Sequence, residues 1–150
     1  MRLGQGLSSD RLQLAALQAE CKHAERADPR SARREAAGKL ARDRLEAAGE
    51  ASAPDLVDAE TVSVLRRRWL SGDLSDARFR SAIDDLLALP VTRFPVGPMM
   101  TRAFELRANV KALDACYIAL AEALDCPLLT ADARLAAAPT ISCVTEILRA

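Results

Sequence analysis

The stretch Asp114–Leu135, DACYIALAEALDCPLLTADARL, places two aspartates where they could do chemistry together. It reads as a helix opened by Asp114, a turn, a short buried strand and a second turn that ends on Asp132. A helix feeding a parallel strand brings such positions to one edge of a sheet, where ligand sites gather. Paired carboxylates at one edge are the hard oxygen donors that a divalent cation takes. Thr130, two residues before Asp132, is placed to hydrogen-bond a metal-bound water. Each aspartate also has a purely structural reading. Asp114 at a helix start can satisfy free backbone N–H groups and complement the helix dipole, and Asp132 can cap a turn.

The elements that must position these groups follow from patterning. No Val, Ile, Thr, Phe, Tyr or Trp precedes Val57, so the N-terminal third is expected to be helix and loop. Ser9-Asp10 would cap a helix to about Ala24, and Asp28-Pro29 would start another to Ala48, closed by Gly49. Ser52-Ala53-Pro54 is extended. A helix then runs from Asp55 to Leu70 with Leu56, Ala59, Val62, Leu65 and Trp69 at helical spacing, and Gly72 ends it. Ser75 caps the next helix, which stops before Pro90. Val91–Val96 is a strand, Met99–Ala108 a helix, Leu128–Thr130 a strand and Ile141–Val144 a last edge strand. Helix and strand alternate from Ser52 onward, which is the pattern of an α/β sheet.

Composition narrows the function classes. The chain has 150 residues, enough for one domain with a substantial core. Its 21 Lys+Arg balance 21 Asp+Glu, so no global basic field draws in nucleic acid and any such surface must be local. Lysine occurs only at Lys22, Lys39 and Lys111; the remaining cations are arginines, which suit bidentate phosphate contacts. Cys21, Cys116, Cys126 and Cys143 form no CxxC pair and read as free thiols of a reducing compartment. No apolar run approaches the ~20 residues of a membrane span, and the N-terminus lacks a signal-peptide core. A cytoplasmic protein is expected.

Three motif elements together carry a family resemblance. They are Asp-Ala-x-Tyr-x-Ala-Leu-Ala at Asp114–Ala121, Thr-Ala-Asp-x-x-Leu at Thr130–Leu135, and Pro54-Asp55-Leu56-Val57-Asp58-Ala59-Glu60 before a helical Val-Leu-Arg-Arg. From about Ser52 to Leu148 the chain resembles a PIN-domain ribonuclease of the VapC toxin type. The resemblance implies an α/β fold with a small, mostly parallel sheet flanked by helices, and a metal-dependent endoribonuclease. It assigns Glu60, Asp114 and Asp132 to Mg²⁺, with Mn²⁺ as substitute, and makes Thr130 a further catalytic contact. Asn109, Arg66 and Lys111 would touch substrate. RNA, a small cognate antitoxin and a second copy of the chain are the implied partners.

One element departs from the pattern. PIN domains open with a buried strand that ends in an aspartate, and its place would fall near His23–Asp28. The local CKHAERADPR holds charge, Pro29 and no β-branched residue, so the first strand and its metal ligand are expected to be missing. Residues 1–27 would then be an atypical helical arm and residues 28–150 an N-terminally incomplete PIN-like domain. Two rivals remain. One is a degenerate, inactive PIN domain serving as an antitoxin-binding or dimerisation module. The other is a mostly helical interaction protein in which the three carboxylates lie far apart.

Overall fold

Alternation of helix and strand resolves into five short strands: β1 (Arg11–Leu14), β2 (Glu50–Pro54), β3 (Val91–Phe94), β4 (Leu128–Thr130) and β5 (Thr145–Ile147). They form one sheet in the order β3-β2-β1-β4-β5, and every pairing is parallel. The structure, a computed structural model, describes residues 11–14, 40, 43, 44 and 46–148.

The central position belongs to β1, which corrects two expectations. Residues 11–14 were read as part of a helix and of a separate N-terminal arm, and the first strand was expected to be absent. Instead Arg11 pairs with Glu50 and Leu12 with Ala51 on one side, while Gln13 pairs with Leu128 on the other. The four residues RLQL have no β-branched member. A strand flanked on both sides is stabilised by its ladders and neighbours, and these override weak intrinsic preference. The expectation of a lost aspartate fares differently. The strand ends on Leu14, and Ala15-Ala16 follow in the sequence. His23–Asp28 and Asp10 lie outside the described residues, as does most of the two expected N-terminal helices. Residues 40, 43, 44 and 46–48 are helical as expected, and Gly49 takes the left-handed conformation (φ 70°) that ends that segment.

Helices connect the strands where the sequence provides their ends. Helix α1 (Leu56–Leu70) stops at Ser71, and Gly72 turns the chain with φ 82°. In α2 (Asp76–Ala88) the Ser75 hydroxyl accepts the Arg78 N–H at 3.3 Å, as a cap should. Pro95 has no N–H to continue a ladder, and β3 ends at Phe94. A 3₁₀ turn (Gly97–Met99) leads into α3 (Met100–Leu106). Helix α4 (Ala112–Leu124) ends on left-handed Asp125, and α5 (Ala133–Ala136) is one turn long. No helix among the described residues is long and apolar enough to cross a membrane.

The core is built around α4. Ala115, Cys116, Tyr117, Ile118, Ala119, Leu120 and Ala121 are all buried. The helix packs on β1, β2 and β4 and on α3. Small side chains at the contact (Ala53 of β2, Ala115 and Ala121 of α4) are fully buried and let helix and sheet approach closely. Parallel sheets are covered on both faces, so short apolar strands such as Leu128-Leu129 suffice.

Two arginines tie the periphery to this core. Arg93 Nε donates to both Asp58 oxygens at 3.0 and 2.7 Å, and its other nitrogens donate to the Val91 and Leu86 carbonyls. Edge strand β3 is thus fastened to α1 and to the end of α2. Arg102 donates to both oxygens of Glu122 (2.6 and 3.0 Å), to Glu105 and to the Thr140 carbonyl. Glu122 also accepts the Ser142 N–H at 2.8 Å. That bond explains why the last strand begins at Thr145 and not at Ile141: the 141–144 segment is drawn toward α4 before it joins β4.

The Arg102 hydrogen bonds outweigh burial and hold the Glu122 carboxyl at about 2, below its ordinary 4.5. A depressed carboxyl stabilises the fold above its unfolded value, and the contribution disappears as pH falls from about 4.5 toward 2. Glu122→Gln is therefore expected to lower the unfolding free energy by about 1–2 kcal/mol at pH 7, discounted for partial solvent contact. Urea denaturation should show the difference from the parent chain shrinking across that acid window.

Candidate active site

Strand order changes direction between β1 and β4, so the crevice at their carboxyl ends is the topological switch point of the sheet. Three acidic residues surround that edge because of where their helices start. Helix α1 leaves the end of β2 and carries Glu60 one turn in. Helix α4 runs back toward the start of β4, so its first turn, with Asp114, lies at the same edge. Helix α5 leaves β4, and Asp132 is its N-cap.

Glu60 meets the helix that carries Asp114 through a third residue. The Tyr117 hydroxyl donates to Glu60 Oε2 at 2.9 Å. Tyr117 and Asp114 are three positions apart on α4, hence neighbours on one face. Helical side chains lean toward the N-terminus, which carries the phenol toward the level of Asp114. The half-buried Glu60 carboxylate therefore contacts α4 at Tyr117, one turn after Asp114. Its charge reaches Cys116 as well: burial, and then Glu60, push that thiol up and keep it protonated. Asp114 is not the cap. The N-cap is Lys111, and Asp114 occupies the third helical position, where the helix dipole favours its charge.

Asp132 behaves differently. Its Oδ1 accepts the Arg134 backbone N–H at 2.8 Å and faces the Arg134 guanidinium at 3.5 Å. Burial opposes its charge, but these hydrogen bonds and the arginine outweigh burial and hold the carboxyl below the usual range. Thr130 Oγ1 accepts the Asp132 N–H at 3.1 Å, which shapes the turn. The structural reading of Asp132 as a cap is thus realised. Among the described residues no three acidic, histidine or cysteine side chains converge as one metal-binding group. Asp132 is engaged at the start of its own helix. Glu60 and Asp114 remain a suitable donor pair in kind. Mg²⁺ takes oxygen ligands, keeps several waters and is commonly held by one or two carboxylates.

The cations expected near substrate divide into two groups. Arg66, Asn109 and Lys111 are exposed. Arg93 and Arg102 are committed to the internal networks described above. Arg107 stacks over the Phe104 ring at 3.9 Å. In the Arg66-Arg67-Arg68 run the first two are exposed and Arg68 is half-buried, as a helical run requires. Sequence reasoning assigned no role to Tyr117. The available signal was a single tyrosine inside an alanine-rich, wholly apolar helical stretch. The Asp58–Arg93 pair had no local signal, since its partners are 35 positions apart.

Comparison with known proteins places this geometry. The PIN domain family model matches residues 30–140. The chain is 46% identical over 99 residues to Ribonuclease VapC1 of Mycobacterium tuberculosis, covering 65% of this chain and 74% of the relative. It is 48% identical over 91 residues to Ribonuclease VapC9 of the same organism, covering 61% and 72%. VapC ribonuclease Mb0985 of Mycobacterium bovis gives the same 48% over 91 residues, with 61% and 72% covered.

The cap role of Asp132 can be separated from its charge. Asp132→Ala is expected to cost about 1 kcal/mol of stability, whereas Asp132→Asn, which keeps a capping oxygen, should stay within about 0.5 kcal/mol of the parent. Urea denaturation of both variants checks this.

Proposed function

The chain belongs to the PIN-domain family, and from that premise we propose that it is a metal-dependent endoribonuclease toxin of the VapBC type. The observation that supports this reading best is the Tyr117–Glu60 hydrogen bond, which ties Glu60 to the helix whose first turn carries Asp114 at the carboxyl edge of the sheet, on helices that the matched family model spans. RNA is the proposed substrate. Mg²⁺ is the proposed ion, with Mn²⁺ as its stand-in, and Glu60 and Asp114 are the residues that would hold it.

Cleaving a phosphodiester bond builds negative charge on the attacking and leaving oxygens. A bound divalent ion neutralises such charge and lowers the pKa of a coordinated water. The chain's own contribution is to hold its carboxylates charged at the right edge. Asp132 keeps its charge into acid because Arg134 and two amide groups stabilise it, so it adds to the field that attracts a cation. Its own role as a further ligand belongs to this proposal. Thr130 fixes the turn that carries it. Arg66, Asn109 and Lys111 are proposed to contact the RNA backbone; their exposure supports that role. A small antitoxin and a second copy of the chain are the proposed protein partners. Exposed Met100 and Phe104, one helical turn apart on α3, offer apolar surface for a protein contact.

One observation favours a second reading. β1 ends on Leu14 and not on an acidic residue, so among the described residues this strand supplies no carboxylate to the edge. A PIN domain that binds its antitoxin or dimerises without cleaving RNA would have this feature.

Cleavage assays on single-stranded RNA decide between the two. The first reading expects cleavage by the wild-type chain in Mg²⁺, none in chelator, and a fall of about 100-fold or more in Asp114→Asn. Equal residual cleavage by wild type and Asp114→Asn would reject the enzyme and leave the binding module.

A further inference from the structure

Tyr117 is the single tyrosine of the chain and has no solvent exposure. A phenol in that position must find a hydrogen-bond partner or pay for its loss of water. The partner it meets is a carboxylate 57 positions earlier in the sequence, on another helix, at 2.9 Å. Packing alone does not call for this group. The ring sits among Ala, Leu and Ile side chains of the core, and phenylalanine would fill the same volume. What the hydroxyl adds is a fixed place for Glu60.

We infer that Tyr117 is a positioning residue: its O–H holds one oxygen of Glu60 against the helix whose first turn carries Asp114, and so presents that carboxylate for a divalent cation. The inference rests on the metal-dependent reading above. Its logic is preorganisation. A glutamate has several rotatable bonds, and a half-exposed one samples many arrangements. Tyr117, buried in the core, narrows those arrangements by holding one carboxylate oxygen before any ion arrives. A donor that orients a ligating carboxylate in this way commonly changes metal affinity by 10–100-fold when removed.

The test is Mn²⁺ binding by calorimetry to the whole metal-free chain, as wild type, Tyr117→Phe and Asp114→Asn, with thermal unfolding recorded for each. Tyr117→Phe keeps the ring and removes only the donor. The expected result is an Mn²⁺ dissociation constant raised about tenfold, with an unfolding midpoint within about 4 °C of wild type. Affinity within twofold of wild type overturns the inference. So does a larger fall in the midpoint, which would give the hydroxyl a structural role. Failure of the underlying reading looks different. Wild type that binds no Mn²⁺, or binds it no better than Asp114→Asn, removes the metal site and the inference together. Binding lost in Asp114→Asn but unchanged in Tyr117→Phe removes the inference alone.

Discussion

Burial of α4 against the sheet is the constraint on which the rest depends. From Ala115 to Ala121 every residue is buried, so the helix has neither rotational nor translational freedom on β1, β2 and β4. Fixing the helix fixes its first turn at the carboxyl edge, and with it Asp114. The same constraint buries the Tyr117 phenol, whose hydroxyl then reaches Glu60 on α1. One packing arrangement thereby places two carboxylates that are far apart in sequence. Deleting core volume at a helix of this kind costs about 2–5 kcal/mol per large side chain, so the site's geometry and the fold's stability share a cause.

Electrostatics separates the groups at the edge from those that hold the frame. Arg93, whose Nε–H is shared by both Asp58 oxygens, and the bidentate Arg102–Glu122 pair fasten β3, α2 and the 140–142 segment. Their charges are spent internally. Asp132 is partly spent on Arg134 and on the amides of α5. Glu60, by contrast, accepts a hydrogen bond from the neutral Tyr117 phenol. Exposed Arg66 and Lys111 add local positive charge in a chain of zero net charge.

Much of this was legible in the residues, and the exceptions have physical reasons. Ser75, Gly49 and Gly72 marked helix ends through cap chemistry and positive φ, which are local effects. The Asp114–Leu135 stretch gave the helix, the Leu128–Thr130 strand and the turn at Asp132 in their observed order. β1 was not legible. RLQL has no strand-forming preference, and only its two flanking ladders make it a strand. The orientation of Asp132 was visible only as an alternative, because a cap and a ligand use the same residue type at the same helix start. The placement of Glu60 could not be read from spacing at all; a glutamate among Ala59, Thr61 and Val62 ordinarily faces water, and its partner is supplied by the tertiary fold.

The central claim is that Glu60 and Asp114 form one cation site at the carboxyl edge of the sheet. Anomalous-scattering data from crystals grown in Mn²⁺ test it most directly. The account predicts an ion whose ligands include a carboxylate oxygen of Glu60 and one of Asp114, at the roughly 2.0–2.2 Å of hard-cation coordination. Millimolar Mn²⁺ with no ion at that edge, or an ion held elsewhere by other side chains, would contradict it.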